Sequence, residues 1–183
     1  ADGRLQEGRY SGRDGTLRDR SSTGIAVVAY KYNPDGLVAE ENYYGANERL
    51  KANCRSGVAA IRWQYDDRGL TVGRRYLDTL LEPRPERNTG AAAFEWKYDA
   101  HCRLIEEKRL GPDGSLCEDS TGAAVWRCGY DDRGNVLEEC VLDRTGKLVE
   151  CGQDCAARTR YAYDSANNVI EERYFGRDGM PKP

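Results

Sequence analysis

The sequence predicts an all-β chain, built from about five tandem β-hairpin repeats of ~33 residues that form a stacked or spiralling antiparallel sheet. Three observations predict it. Tyr32, Tyr65, Tyr98, Tyr130 and Tyr163 recur 33, 33, 32 and 33 residues apart. Upstream of each tyrosine, small and apolar residues alternate with polar ones, the period of a strand with one buried face. Downstream, Asp, Asn and Gly cluster into a tight reversal before a second strand-like run.

Each repeat opens with a first strand of the form Ala-x-Φ-x-aromatic-x-Tyr. Its small column holds Ala26, Ala59, Ala92, Ala124 and Ala157, where a short side chain lets a neighbouring copy or layer approach closely. Two residues on come Val28, Ile61, Phe94, Trp126 and Thr159, then Tyr30, Trp63, Trp96, Cys128 and Tyr161, then the anchor tyrosines. Turns such as Asn33-Pro34-Asp35-Gly36, Asp66-Asp67-Arg68-Gly69 and Asp131-Asp132-Arg133-Gly134 follow. Second strands are expected over Val38 to Tyr44, Val72 to Leu77, Leu104 to Leu110, Val136 to Leu142 and Val169 to Phe175. A run such as VLEECVL contains good helix formers, but seven residues between turn signals are too few for a stable helix. A second turn recurs at Gly12–Gly15, Gly111–Gly114 and Gly176–Gly179. A short third strand such as Lys147-Leu148-Val149 follows, and Thr-Gly pairs lead into the next copy. The units run 1–31, 32–64, 65–97, 98–129 and 130–162, with a partial copy at 163–183, as one array.

One such unit cannot bury its aromatic face alone, so stability is expected to be a sum of unit and interface terms. Tyr32, Tyr65, Tyr98, Tyr130 and Tyr163 are expected to form a structural aromatic ladder, each ring contributing on the order of 1.5–3 kcal/mol when buried. The acidic centres of the second strands, Glu40-Glu41, Glu106-Glu107, Glu138-Glu139 and Glu171-Glu172, are placed to pair with bases on neighbouring copies. Such exposed pairs contribute roughly 0–1 kcal/mol each, and they also make poor templates for edge-to-edge aggregation.

Composition narrows function. With 183 residues, 32% of them charged, and a formal charge of −3, no basic nucleic-acid face emerges. Mean hydropathy is −0.81, and no apolar run reaches membrane-spanning length. The chain starts Ala1-Asp2-Gly3 and ends Met180-Pro181-Lys182-Pro183, which reads as a mature or excised segment of a larger protein.

At Tyr65-Asp66-Asp67-Arg68-Gly69 and Tyr130-Asp131-Asp132-Arg133-Gly134-Asn135 the chain resembles YD repeats, the units of the RHS family. Tyr32-Asn33-Pro34-Asp35-Gly36, Tyr98-Asp99-Ala100-His101-Cys102 and Tyr163-Asp164-Ser165-Ala166-Asn167 are degraded versions. The resemblance implies an all-β spiral of antiparallel hairpins, usually outside the cytoplasm, in large proteins of secretion, toxin delivery or cell-surface contact. This repeat is longer than the usual YD unit, five copies are too few to close a shell around cargo, and the proteolytic signature of full RHS proteins is absent. An encapsulating role is therefore not carried over.

Seven cysteines are present, six of them between Cys102 and Cys155. They fall in different repeat columns, which argues against a metal site copied once per unit. Cys151 and Cys155 have ligand-like spacing without a partner pair, and His101 is the sole histidine. Cys128 and Cys140 flank a turn and form a candidate cross-strand disulfide; small buried thiols are the alternative. The Asp-Gly turns carry too few oxygen ligands for a calcium loop. His101 sits at a variable turn position. The stretch Leu80 to Arg87 departs from the repeat, so Pro83, Arg84 and Pro85 are expected on a projecting, strand-free loop, a candidate interaction site. No catalytic set and no cofactor is expected. The favoured function is a non-catalytic scaffold or interaction module of an exported or surface protein, with a protein partner or a neighbouring domain of the same polypeptide. The alternatives are a carbohydrate-binding repeat domain using Trp63, Trp96 and Trp126, and a cytoplasmic location.

Overall fold

A computed structural model describes residues 3–150 and 156–182. Among these residues there are eleven strands and no helix. They run β1 (Glu7–Arg9), β2 (Val27–Tyr32), β3 (Val38–Tyr44), β4 (Ala60–Tyr65), β5 (Thr71–Leu77), β6 (Ala93–Tyr98), β7 (Leu104–Leu110), β8 (Val125–Tyr130), β9 (Val136–Leu142), β10 (Arg158–Tyr163) and β11 (Val169–Phe175). The chain forms two compact units, Ala1–Phe94 with Gly111–Gly114, and Glu95–Leu110 with Ser115–Pro183. In each unit the strands pair antiparallel with their neighbours in chain order.

The hairpins share one register device. In β2–β3, Lys31 pairs with Glu40 but Tyr32 pairs with Val38, so Ala39 is an extra residue. The same bulge falls between Gln64 and Tyr65, Gly129 and Tyr130, and Ala162 and Tyr163. A bulge at the anchor sharpens the local twist and re-aims its side chain.

Three turns per repeat carry a left-handed residue. In the first, Asp131 Oδ1 accepts the amides of Arg133 (2.9 Å) and Asn135 (2.8 Å), and Gly134 sits at φ +92°. Asp66, Asp99 and Asp164 repeat this clamp. The side-chain bond from Asn135, then the backbone bonds from Asn135 and Arg133, outweigh desolvation and hold the Asp131 carboxyl below its usual range. In the second turn, Asp143 and Asp78 play the same part. The third turn accounts for the one short spacing between anchors: the Glu86 amide donates to Ala91 O, five residues on, whereas the Asp119 amide donates to Ala123 O, four on.

The core lies at the base of each hairpin. Ala59 and Ala157 are fully buried because each is bonded on both sides. The Ala59 amide donates to Leu77 O (2.8 Å) and its carbonyl accepts from the Tyr43 amide (2.9 Å); Ala157 does the same with Phe175 and Val141. Both side chains are fully covered, so a larger one would have to displace its neighbours. The buried apolar residues of the first unit also include Ile25, Val27, Val58, Leu77 and Phe94. Around Ala124 of the second unit lie Val125 and Leu142, with Leu116 and Leu148 against them. The expected third strand is reduced to a return of two residues, as in the Leu142–Leu148 bridge and the bond from the Val149 amide to Val141 O (3.0 Å).

Candidate interaction surface

The anchor tyrosines are half-buried rather than core residues, and their hydroxyls do the joining. Tyr32 donates to Leu5 O (2.7 Å), Tyr65 to Val38 O (2.8 Å), Tyr130 to Leu104 O (3.0 Å) and Tyr163 to Val136 O (2.9 Å). The last three acceptors are the first residues of β3, β7 and β9, each in the preceding hairpin. The ladder is therefore a row of hydrogen-bonded staples between copies. Tyr98 ends β6 in the same column and is also half-buried. The Arg103 guanidinium lies 4.6 Å from the Tyr130 ring centre. Burial, then the bond with Cys128, pushes the Tyr130 hydroxyl up to about 12. The uniform choice of Tyr over Phe at all five anchors was the sequence signal for a needed hydroxyl.

On the same sheet face, each hairpin sets its second aromatic column against an acidic one. Tyr30 pairs with Glu41, Cys128 with Glu139 and Tyr161 with Glu172. Trp96 Nε1 donates to Glu107 (2.7 Å) and the Tyr161 hydroxyl to Glu139 (2.9 Å). Burial raises Glu41 and, with Glu41 beside it, Tyr43. The hairpin β4–β5 departs from the rule: Arg74 replaces the acid. Its guanidinium stands 5.4, 5.0 and 5.1 Å from the ring centres of Trp63, Tyr76 and Phe94. The chain's own cation thus fills an aromatic cage of the kind that attracts cationic groups.

The opposite face is charged. Glu40 lies between Lys31 (2.9 Å) and Arg62 (3.4 Å), Glu106 between Lys97 (3.1 Å) and Arg127 (2.9 Å), and Glu138 meets Arg160 (2.5 Å). These are the charge ladders expected between copies. Gly73 takes the acid's column in β5.

Two expectations need correction. Cys128 pairs with Glu139 and Cys140 with Arg127, because the bulge at Tyr130 shifts the register by one. The two thiols lie on opposite faces and are free, so no disulfide joins them. Burial raises both thiols. Cys151 and Cys155 lie outside the described residues. The segment from Leu80 to Arg87 holds no strand and is largely exposed, as expected, but it keeps the second turn instead of replacing it. The Asp78 amide donates to Glu82 O (2.9 Å) and the Leu81 amide to Asp78 O (3.1 Å), the second-turn pattern of Asp143–Lys147. Leu81 takes the left-handed position (φ +63°) that Gly146 holds elsewhere. Pro83 bridges Leu77, the Arg84 amide donates to Tyr76 O (2.9 Å), and Pro85 is exposed between this return and the buried Glu86. A leucine in a glycine's place hid the turn. His101 lies exposed in the first turn, its amide bonded to Asp99 (2.8 Å). Among the described residues no three His, Cys, Asp or Glu side chains gather as a metal-binding group, and no helix is long and apolar enough to cross a membrane.

The first unit also carries a shallow cleft of ≈ 280 Å³ bordered by Tyr10, Arg20, Tyr30, Tyr43 and Asn53. Arg20 stands 5.3 Å from the Tyr10 ring centre.

No family model matches the chain, and no curated protein matches it. Among solved structures it is similar to part of TcdB2-TccC3-Cdc42, at 18% identity and a TM-score of 0.33, over 81% of this chain and 7% of that one. It is also similar to part of TcdB2-TccC3 without its hypervariable C-terminal region, at 17% identity and a TM-score of 0.35, with the same coverage. The chain thus spans about 7% of the length of the solved chains it resembles.

Proposed function

We propose that this chain is a non-catalytic β-repeat module of a larger exported or surface protein, which spaces or presents a neighbouring domain or holds a protein partner along its flank. One observation carries the reading: polar side chains suited to a ligand site are committed to joints between copies. Four anchor hydroxyls are tied to backbone carbonyls of a preceding segment, and the acids of the charged face are tied to bases on adjoining strands. The YD-like turns add the expectation of an exported or surface setting.

A carbohydrate-binding role is the second reading, favoured by the tyrosine-bordered cleft of the first unit. Titrating the chain with a panel of oligosaccharides while following tryptophan and tyrosine emission separates the two. No saturable change at millimolar sugar is expected; a saturable change abolished by Tyr30→Ala would transfer the function to glycan binding. An antibody against the chain, used on fractionated native cells, tests the setting. A band well above 20.5 kDa in the secreted or surface fraction is expected, and a cytosolic band at that mass would overturn it.

A further inference from the structure

Inside the array, a second strand gives the next first strand three things. β9 pairs with β10 through Glu138–Arg160, Glu139–Thr159 and Cys140–Arg158. Val136 offers its carbonyl to the Tyr163 hydroxyl (2.9 Å), and Glu138 takes the Arg160 guanidinium (2.5 Å). β3 does the same for β4: Glu40 pairs with Arg62, and Val38 receives Tyr65. β11 carries the same set in the same columns, with Val169 for Val136, Glu171 for Glu138 and Tyr174 for Val141. Among the described residues, no strand lies on its outer edge. Val169 is 48% exposed and Ile170 65% exposed, whereas Val38 and Val136 are half-covered.

We propose that the outer edge of β11 is a docking site for an extended peptide strand of the first-strand pattern, small-x-apolar-basic-aromatic-x-Tyr, antiparallel to β11. The occupant's basic residue lies opposite Glu171, and its tyrosine hydroxyl donates to the Val169 carbonyl. Strand addition of this kind draws affinity from main-chain bonds and specificity from alternate side chains. Ala59 to Tyr65 spells the pattern in full; Ala124 to Tyr130 and Ala157 to Tyr163 keep its small, basic and tyrosine positions, with Cys128 in place of the aromatic residue and Thr159 in place of the apolar one. A second copy joined head to tail does not, because its β1 is of the second-strand type and sets Glu7 in the acid column of Glu40. This inference rests on the reading of the chain as an interaction module and names the partner's chemistry.

The test is titration of the 183-residue chain with a synthetic peptide of residues 58–66, followed by amide hydrogen exchange. Saturable protection confined to β11 is expected. A peptide with Glu in place of its arginine is expected to bind at least about fivefold more weakly, and the chain variant Glu171→Lys to restore that peptide's binding while weakening the original's. Glu171 is exposed, so the variant is expected to fold; the charge-swapped peptide alone tests the register if it does not. No protection of β11 at millimolar peptide, protection elsewhere, or equal binding of both peptides overturns the proposal. So does a chain dimer paired through β11, seen as a concentration-dependent mass, in which Glu171 of one copy would face Arg173 of the other. The oligosaccharide titration and the fractionation read the module itself, so failure at β11 leaves that reading standing.

Discussion

The hairpins β4–β5 and β10–β11 are written to one pattern, yet they live in different surroundings. In β4–β5, Leu77 and Tyr76 are 1% and 6% exposed. In β10–β11, Phe175 and Tyr174 occupy the same columns; Phe175 is only half-covered and Tyr174 is 42% exposed. The residues are similarly apolar. What differs is that β4–β5 has covering segments on both flanks: Tyr76 meets the Phe94 ring and donates its amide to Ala92 O, while Ala59 on the other side is bonded to Tyr43. A hairpin here is held less by its own ladder than by the copies beside it, as expected where stability sums unit and interface terms.

The largest expected effect breaks that comparison at its centre. Leu77→Ala removes a fully buried side chain and is expected to cost about 2–5 kcal/mol, read by urea denaturation. Val169→Ala at the open edge is expected to stay within about 0.5 kcal/mol. Similar costs at both sites would mean that flank burial is not what separates the hairpins.

Next comes the alanine column. Ala59→Leu forces a branched chain into a fully buried position and is expected to cost about 1–3 kcal/mol. Ala166→Leu, in the exposed turn between β10 and β11, is expected to be near neutral. A tolerated Ala59→Leu would mean that the layer over this column yields without loss, contrary to the complete burial of that residue.

Smaller still is the hydroxyl staple. Tyr65→Phe keeps the ring and strands the Val38 carbonyl, at an expected cost of about 0.5–1.5 kcal/mol. Tyr10→Phe, on an exposed ring, is expected to change stability by less than about 0.5 kcal/mol. If the two are indistinguishable, the anchor column acts through its rings alone.

How legible was this in the sequence? The strands were, because period two and the Asp-Gly turns point to the same register; the second strands stand within a residue of their expected bounds. The charge ladders were, because Glu and Arg recur in fixed columns. Legibility failed where geometry depends on one residue in an atypical role. Leu81 performs a glycine's turn, so the segment through Pro83, Arg84 and Pro85 read as a loop. The turn sets Tyr130 opposite Val136, and with one bulge residue added Cys128 meets Glu139 and Cys140 meets Arg127, so the two thiols fall on opposite faces. The Arg74 cage arises from a single exchange of sign in the acidic column, and only its three-dimensional neighbours give it meaning.

The smallest expected effect concerns acid, and it again sets one hairpin against another. Asp164 clamps the β10–β11 turn, and the side-chain and backbone bonds from Asn168 hold its carboxyl below the usual range. A depressed folded value means the unfolded chain binds the proton more readily, so the clamp's contribution is full above about pH 4 and lost as pH falls through the folded value. The β2–β3 turn has Asn33 in the same column, whose amide oxygen accepts the Leu37 amide (2.8 Å) and does not titrate. Between pH 5 and pH 2.5, exchange protection at the Asn168 amide is therefore expected to fall relative to that at Leu37. Asp164→Asn is expected to remove the difference while preserving the turn. Equal acid sensitivity at both amides would place the chain's response to acid in the ion-pair ladders, where Glu40 and Glu106 are also held below the usual carboxylate range by their bases, instead of in the turns.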